Sequence, residues 1–210
     1  MEKIFDLLGK LKLVPVVVFP EAKFAIGLAE TLISAGLACA EVTFRSDAAE
    51  EAIQLIAAKY PEMMLGAGTV LNVEQAQRAK QAGAKYIVSP GFSPAIVKWC
   101  QSNQLPVLPG VATPSEVMTA LDYGLEILKF FPAENLGGVA TLKSLAGPFK
   151  GVKFIPTGGI TTANLIEYLG LPNVLAVGGS WFVRETLIAG EKFDEIGQLV
   201  NEAITLIQKV

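Results

Sequence analysis

Histidine does not occur anywhere in the 210 residues. Its absence removes every mechanism that turns on an imidazole: a Ser-His-Asp triad cannot be assembled, and a zinc site would lack its commonest ligand. Acid–base work falls to carboxylates, lysine, tyrosine or water. Cysteine is nearly as scarce. Cys39 and Cys100 are the two present, without metal or redox spacing, and they read as reduced core residues of a cytoplasmic protein. Charge is sparse and nearly balanced: charged residues make up 18% of the chain, the formal net charge is −3, and Lys and Arg form no tract. That pattern gives no attraction to nucleic acid or to an anionic membrane. Long apolar runs are missing too. The uncharged stretch from Tyr168 to Val183 is broken by Gly170, Pro172 and Gly178-Gly179 and falls short of a membrane span. The opening MEKIFDLLGKLK carries charges throughout, which is not the pattern of a signal peptide. It reads as a short amphipathic helix with Ile4, Leu7, Leu8 and Leu11 on one face.

What the chain does have is apolar material in a regular rhythm. Hydrophobic residues are 51% of the sequence, ample for a continuous core. Short apolar runs recur at Val14–Val18, Ala40–Thr43, Met63–Ala67, Tyr86–Val88, Val107–Leu108, Ile127–Phe130, Lys153–Ile155 and Leu175–Val177. Helix-period segments lie between them, such as Ala22–Ala35, Ala48–Lys59, Val73–Ala82, Pro94–Asn103 and Pro114–Tyr123. Gly36, Gly83 and Gly124 stand where helices would need a left-handed cap before the next strand. Strand–helix units with near-continuous apolar strands predict a parallel sheet covered by helices. Eight of them favour closure, so the expectation is an α/β fold: a single (β/α)₈ TIM barrel of residues 1–210, with a short N-terminal helix. No linker or shift of composition divides the chain.

A barrel of this kind places its chemistry where strands end and loops begin. The second strand ends in Glu41-Val42-Thr43-Phe44-Arg45, and period-two alternation puts Glu41, Thr43 and Arg45 on one face. The third ends in Gly66-Ala67-Gly68-Thr69, and the sixth carries Lys129 inside EILKFFPAE. An ammonium within an apolar strand is costly unless it is paired or loses its proton. Lys129 and Glu41 as a mere structural ion pair would be a weak source of stability, and four polar residues at one barrel mouth point instead to a site. Two glycine pairs, Gly158-Gly159 after the seventh strand and Gly178-Gly179-Ser180 after the eighth, stand where barrels often bind phosphate. The first pair is expected to lead into a helix near Thr161-Thr162.

Those residue types define a chemistry. A lysine in an apolar pocket is a candidate Schiff-base nucleophile. Its reactive form is the free amine, which desolvation and a neighbouring Arg45 favour and a neighbouring carboxylate disfavours. Glu41 is therefore better placed as proton carrier than as mere counter-ion. Arg45 can fork onto a substrate carboxylate, with Thr69 adding a hydrogen bond. A 2-keto acid at one end and a phosphate at the other would fit, with the iminium on Lys129 as electron sink and neither metal nor organic cofactor required.

The motifs EVTFR, GAGTVLN, SPG, KFFPAE, GPF, PTGGI and GGSWFV follow one another along nearly the whole chain. In that order and spacing the sequence closely resembles the 2-dehydro-3-deoxy-6-phosphogluconate (KDPG) aldolases of the Entner–Doudoroff pathway. The resemblance implies a class I aldolase that reversibly cleaves this sugar acid phosphate to pyruvate and D-glyceraldehyde 3-phosphate. Many members also cleave 4-hydroxy-2-oxoglutarate (KHG) to pyruvate and glyoxylate. By the same resemblance Lys129 is the Schiff-base lysine, Glu41 the general acid/base, and Arg45 and Thr69 the carboxylate site. Gly158, Gly159, Gly179 and Ser180 take the phosphate, while Pro90, Phe131 and Thr157 wall the pocket. It further implies a homotrimer of (β/α)₈ barrels.

Two departures from the family pattern matter. Many relatives carry an arginine at the end of the first strand, where this chain has Val17-Val18-Phe19 after Pro15-Val16, so more of the anion binding rests on Arg45. The PAE of KFFPAE differs from the segment of relatives that act on the galactonate epimer and favours the gluconate-type substrate. Two competing readings are a cofactor-free sugar-phosphate isomerase or epimerase, which shares the glycine loops but needs no Schiff base, and a catalytically silent barrel acting as a scaffold.

Overall fold

The alternating strand and helix patterns fold into one closed sheet wrapped by helices, in a computed structural model that describes residues 2–208. The strands are β1 Leu13–Val17, β2 Cys39–Thr43, β3 Met64–Gly68, β4 Tyr86–Ser89, β5 Val107–Val111, β6 Ile127–Phe130, β7 Lys153–Pro156 and β8 Val177–Gly179. The helices are α1 Glu2–Leu11, α2 Ala25–Ser34, α3 Ala49–Lys59, α4 Val73–Ala82, α5 Pro94–Ser102, α6 Pro114–Asp122, α7 Gly138–Ala146, α8 Leu165–Leu169, α9 Glu185–Ala189 and α10 Phe193–Ile207. Neighbouring strands run in the order β7-β6-β5-β4-β3-β2-β1-β8, all parallel. Bridges between Phe154 and Val174 and between Thr157 and Gly178 join the two ends of that order. The result is a (β/α)₈ barrel, as the sequence predicts.

Local chemistry sets the element ends. Asn72 caps α4 by accepting from the Gln75 N–H at 2.8 Å, and Gly83 ends the helix in the left-handed region at φ 104°. Thr113 and Glu116 form a reciprocal capping box at α6, with Pro114 in the first turn. α5 begins with Ser93 as a simple cap, its hydroxyl accepting from the Ile96 N–H, and Pro94 behind it.

α1 lies at the N-terminal end of the barrel, and there the expected apolar face needs correction. Phe5 and Leu8 are buried, whereas Leu7 is exposed. The reason is the ring of Tyr86 at the start of β4, which Phe5 meets edge-on at 6.5 Å. α1 turns its aromatic residue toward that ring, and Leu7 rotates out to solvent. Tyr86 in turn fills the space over Gly66, where an added Cβ would stand 2.2 Å from the ring.

Two further expectations shift in the last third of the chain. β8 begins at Val177 and contains Gly178 and Gly179, which pair with Val14 and Pro15; the second glycine pair is strand rather than loop. Packing explains the glycines. A Cβ on Gly178 would lie 2.4 Å from Thr157 Oγ1, and one on Gly179 would lie 1.9 Å from the Trp181 ring. After β7 the helix starts at Leu165, not near Thr161-Thr162, because Asn164 Oδ1 accepts from the Thr161 N–H at 2.9 Å and holds a turn there.

Candidate active site

The C-terminal ends of the strands open into a cavity of about 270 Å³. All the site residues expected from the sequence line it: Glu41 and Arg45 from β2 and its loop, Thr69 after β3, Pro90 after β4, Lys129 and Phe131 around the end of β6, Thr157, Gly158 and Gly159 after β7, and Gly179 and Ser180 at the end of β8. Sequence reasoning missed Val16 and Ile160, which also face the cavity with Gly178 of the second glycine pair, and left Thr43 without a role although its alternation with Glu41 and Arg45 already placed it there.

Lys129 Nζ lies 2.9 Å from Glu41 Oε1. Both residues are almost wholly buried, at 4% and 3% exposure, so the pair lies away from bulk solvent, where the coupling between the charges is strong. The face of Phe131 stands 5.2 Å from the Lys129 nitrogen, within the range of a cation–π contact. Gly68 gives the carboxylate room to lean toward the lysine, since a Cβ there would meet Glu41 Oε1 at 2.2 Å.

Thr43 connects the buried pair to the rim. Its hydroxyl donates to the Val17 carbonyl at 2.9 Å and accepts from Arg45 Nε at 3.3 Å. That bond uses one guanidinium edge, and among the described residues Arg45 has no carboxylate partner. The remaining N–H groups stand free for an anionic ligand. Thr69 is in the left-handed region at φ 56°, an unfavourable place for a β-branched residue. Such local strain accumulates at functional sites, where the surroundings hold it.

On the opposite side of the cavity, Gly158 and Gly159 follow one another at φ 103° and 79°, a conformation open to glycine and costly for side chains. Among the described residues their N–H groups donate to no backbone carbonyl, nor does that of Ser180. Unpaired N–H groups at a cavity wall suit an anion with several oxygens. Because the helices that follow start several residues later, this capacity belongs to the loops themselves. Ser89, buried beside Pro90, ties the remaining wall by donating to the Gly91 carbonyl at 2.8 Å. Among the described residues, no three of His, Cys, Asp and Glu converge into a metal-binding group.

A lysine amine beside a carboxylate, a free guanidinium on one side and free backbone N–H groups on the other can form and turn over an imine of a keto acid carrying a second anionic end. Proteins similar to this chain carry names of that chemistry. The "KDPG and KHG aldolase" family model matches residues 4–199. A 2-dehydro-3-deoxy-phosphogluconate aldolase of Haemophilus influenzae is 46% identical over 207 residues, 99% of this chain and 98% of that protein. The KHG/KDPG aldolase of Escherichia coli is 44% identical over 91% of this chain and 90% of its own length. Among solved structures, the KDPG aldolase of Legionella pneumophila, with pyruvate captured at low pH as a covalent carbinolamine, superposes with a TM-score of 0.91 at 40% identity, covering 95% of this chain and 96% of that one. With a family match over nearly its full length and relatives well above the identity at which family is secure, this chain belongs to the KDPG and KHG aldolase family.

Proposed function

We infer that this protein is a class I aldolase that reversibly cleaves 2-dehydro-3-deoxy-6-phosphogluconate to pyruvate and D-glyceraldehyde 3-phosphate. It also takes 4-hydroxy-2-oxoglutarate, giving pyruvate and glyoxylate. The observation that carries the reading is the buried Lys129–Glu41 pair at 2.9 Å, set between a free guanidinium and free glycine-loop N–H groups. Proton transfer from Lys129 to Glu41 makes a free amine and a carboxylic acid in one step. The amine attacks C2 of the keto acid, and the Glu41 proton leaves with the carbinolamine oxygen as water, giving the iminium. The restored carboxylate, directly or through water, then takes the proton of the C4 hydroxyl. The C3–C4 bond breaks, its electrons flow into the iminium as an enamine, and the aldehyde departs. Glu41 returns its proton to C3, and hydrolysis frees pyruvate and Lys129.

In this reading Arg45 and Thr69 hold the substrate carboxylate. Gly158, Gly159, Gly179 and Ser180 hold the phosphate, and Pro90, Phe131 and Thr157 shape the wall between them. The chain works as one domain, residues 1–210, without metal or organic cofactor, as a homotrimer in the cytoplasm. The exposure of Met118 and Leu121 on one side of α6 supports self-association, which light scattering in solution tests. The free, buried Cys39 and Cys100 suit a reducing compartment. Among the described residues, no helix is long and apolar enough to cross a membrane.

The test is reduction of the imine. Protein incubated with pyruvate and sodium borohydride should carry one reduced pyruvyl group on Lys129, located by peptide mass spectrometry and lost in Lys129→Ala. Absence of the adduct, or label scattered over surface lysines, would leave Lys129 a buried structural charge and return the reading to the isomerase or the silent scaffold.

A further inference from the structure

The loop that presents Gly158 and Gly159 to the cavity is gripped from its outer side. Glu134, just after the lysine strand, donates its N–H to the Gly158 carbonyl at 3.1 Å, and Ala133 donates to the Thr157 carbonyl at 2.9 Å. The stem of Glu134 fills the volume beside Gly159, where a Cβ would meet Glu134 Cγ at 2.5 Å and Cβ at 2.6 Å. The carboxylate points away from the cavity, and Glu134 is not among the residues lining it. It is held there by the hydroxyl of Tyr168, which donates to Glu134 Oε1. Tyr168 is buried in α8, the helix that the same loop leads into. From the other flank Asn164 Nδ2 donates to the Gly159 carbonyl at 3.2 Å.

Glu134 therefore stands directly behind the loop assigned to the phosphate, and an anion there opposes the binding of a dianion. Its hydrogen bond to a buried phenol both fixes the stem that supports Gly159 and offsets part of the carboxylate's charge. Neither side chain touches the cavity.

We propose that the Tyr168–Glu134 pair is a positioning device that holds the Gly158-Gly159 loop in its phosphate-binding form, and so sets how strongly the enzyme prefers a phosphorylated substrate without affecting the pyruvate end. The proposal rests on the assignment of that loop to phosphate.

Two probes separate the ends of the site. Inorganic phosphate, as a competitor of KDPG cleavage, reports the loop. The pyruvate concentration that half-saturates borohydride inactivation reports Lys129, Arg45 and Thr69. In Tyr168→Phe the inhibition constant for phosphate and the KM for KDPG are expected to rise about tenfold, in line with losing a hydrogen bond to a charged group. The kcat and the half-saturating pyruvate concentration should stay within about twofold. Glu134→Gln keeps an acceptor for the phenol and removes the charge, so it should bind phosphate at least as well as the wild type, while Glu134→Ala should resemble Tyr168→Phe. A merely structural pair would weaken both ends together, and that result overturns the proposal. Equal phosphate inhibition in wild type and Tyr168→Phe also overturns it while leaving the loop assignment intact. If phosphate fails to compete even in the wild type, the loop assignment itself falls and the proposal with it.

Discussion

Lys129 and Glu41, 88 positions apart in sequence, meet across the barrel with nitrogen and oxygen 2.9 Å apart and almost no solvent around them. Removing one member leaves the other as an uncompensated buried charge, which costs about 3–5 kcal/mol. Lys129→Met and Glu41→Gln should each lower stability in urea unfolding, by that amount for the first and less for the second, whose amide can still accept from the ammonium. The double variant should recover most of the Lys129→Met loss, because both charges are gone. Activity should not recover: Glu41→Gln is expected to lower kcat by about 10²–10⁴, and both variants that lack Lys129 should show no borohydride adduct. Additive stability losses in the double variant would mean that the two charges do not interact.

Glycines 66 and 68 share a strand but protect different things. A Cβ at Gly68 meets the carboxylate end of Glu41, whereas a Cβ at Gly66 meets the ring of Tyr86. Gly68→Ala should thus push the carboxylate off Lys129, losing stability through the weakened buried pair and lowering kcat about a hundredfold or more. Gly66→Ala should act on the core and lose about 1–3 kcal/mol through overpacking. Thermal unfolding and steady-state rates on the two variants check the contrast, and it fails if Gly66→Ala lowers kcat as far as Gly68→Ala does.

This division explains what could be read from the sequence. Strand positions with one function per residue were legible: the Glu41-Thr43-Arg45 alternation and the lysine inside ILKF both mark the cavity, and both line it. The helix ends were legible wherever a left-handed glycine closes them, as at Gly36, Gly83 and Gly124. Gly178 and Gly179 misled because glycine is also what a strand needs when a neighbour crowds it, here Thr157 and Trp181, and nothing local distinguishes that from a turn. Leu7 misled because helix periodicity cannot see which apolar residue the barrel floor will select; Tyr86 makes that choice from 79 positions away (86 − 7). The Glu134–Tyr168 contact was invisible for the same reason.

Arg45 is anchored by one edge to Thr43, which leaves a directed fork for the substrate carboxylate. Lysine keeps the charge but loses the fork. Arg45→Lys is expected to raise the half-saturating pyruvate concentration in borohydride inactivation about tenfold, with phosphate inhibition unchanged. A parallel weakening toward phosphate would show that Arg45 acts as a general attractor of anions rather than as the carboxylate site.

Thr69 pays for its place with a left-handed backbone, a cost of about 1–2 kcal/mol for a residue with a Cβ. Thr69→Gly relieves it and gives back about 0.5–1 kcal/mol in unfolded-chain entropy. The net expectation is unchanged or slightly higher stability together with a higher KM, since the hydroxyl is lost. A clear loss of stability would mean that the hydroxyl, not the substrate, is what holds the strained conformation.

The two thiols give a pH dependence with a definite sign. Burial, partly opposed by the Lys80 ammonium, pushes Cys100 from its ordinary value of 9.0 up to about 12, and burial alone pushes Cys39 up as well. The folded protein then keeps thiol protons that the unfolded chain releases, so unfolding is accompanied by proton loss and stability falls as pH rises. For Cys100 the fall starts near pH 9.0 and ends near about 12, where the folded thiol ionises as well. Urea unfolding at several pH values across that window should show a shallower decline in Cys100→Ala than in the wild type, with no difference in slope below the ordinary thiol value. The same burial predicts that neither thiol reacts with a disulfide reagent near pH 8 until the protein unfolds. Identical slopes in the two proteins, or rapid labelling of Cys100 in the native state, would show that the thiol already reaches solvent in the folded barrel.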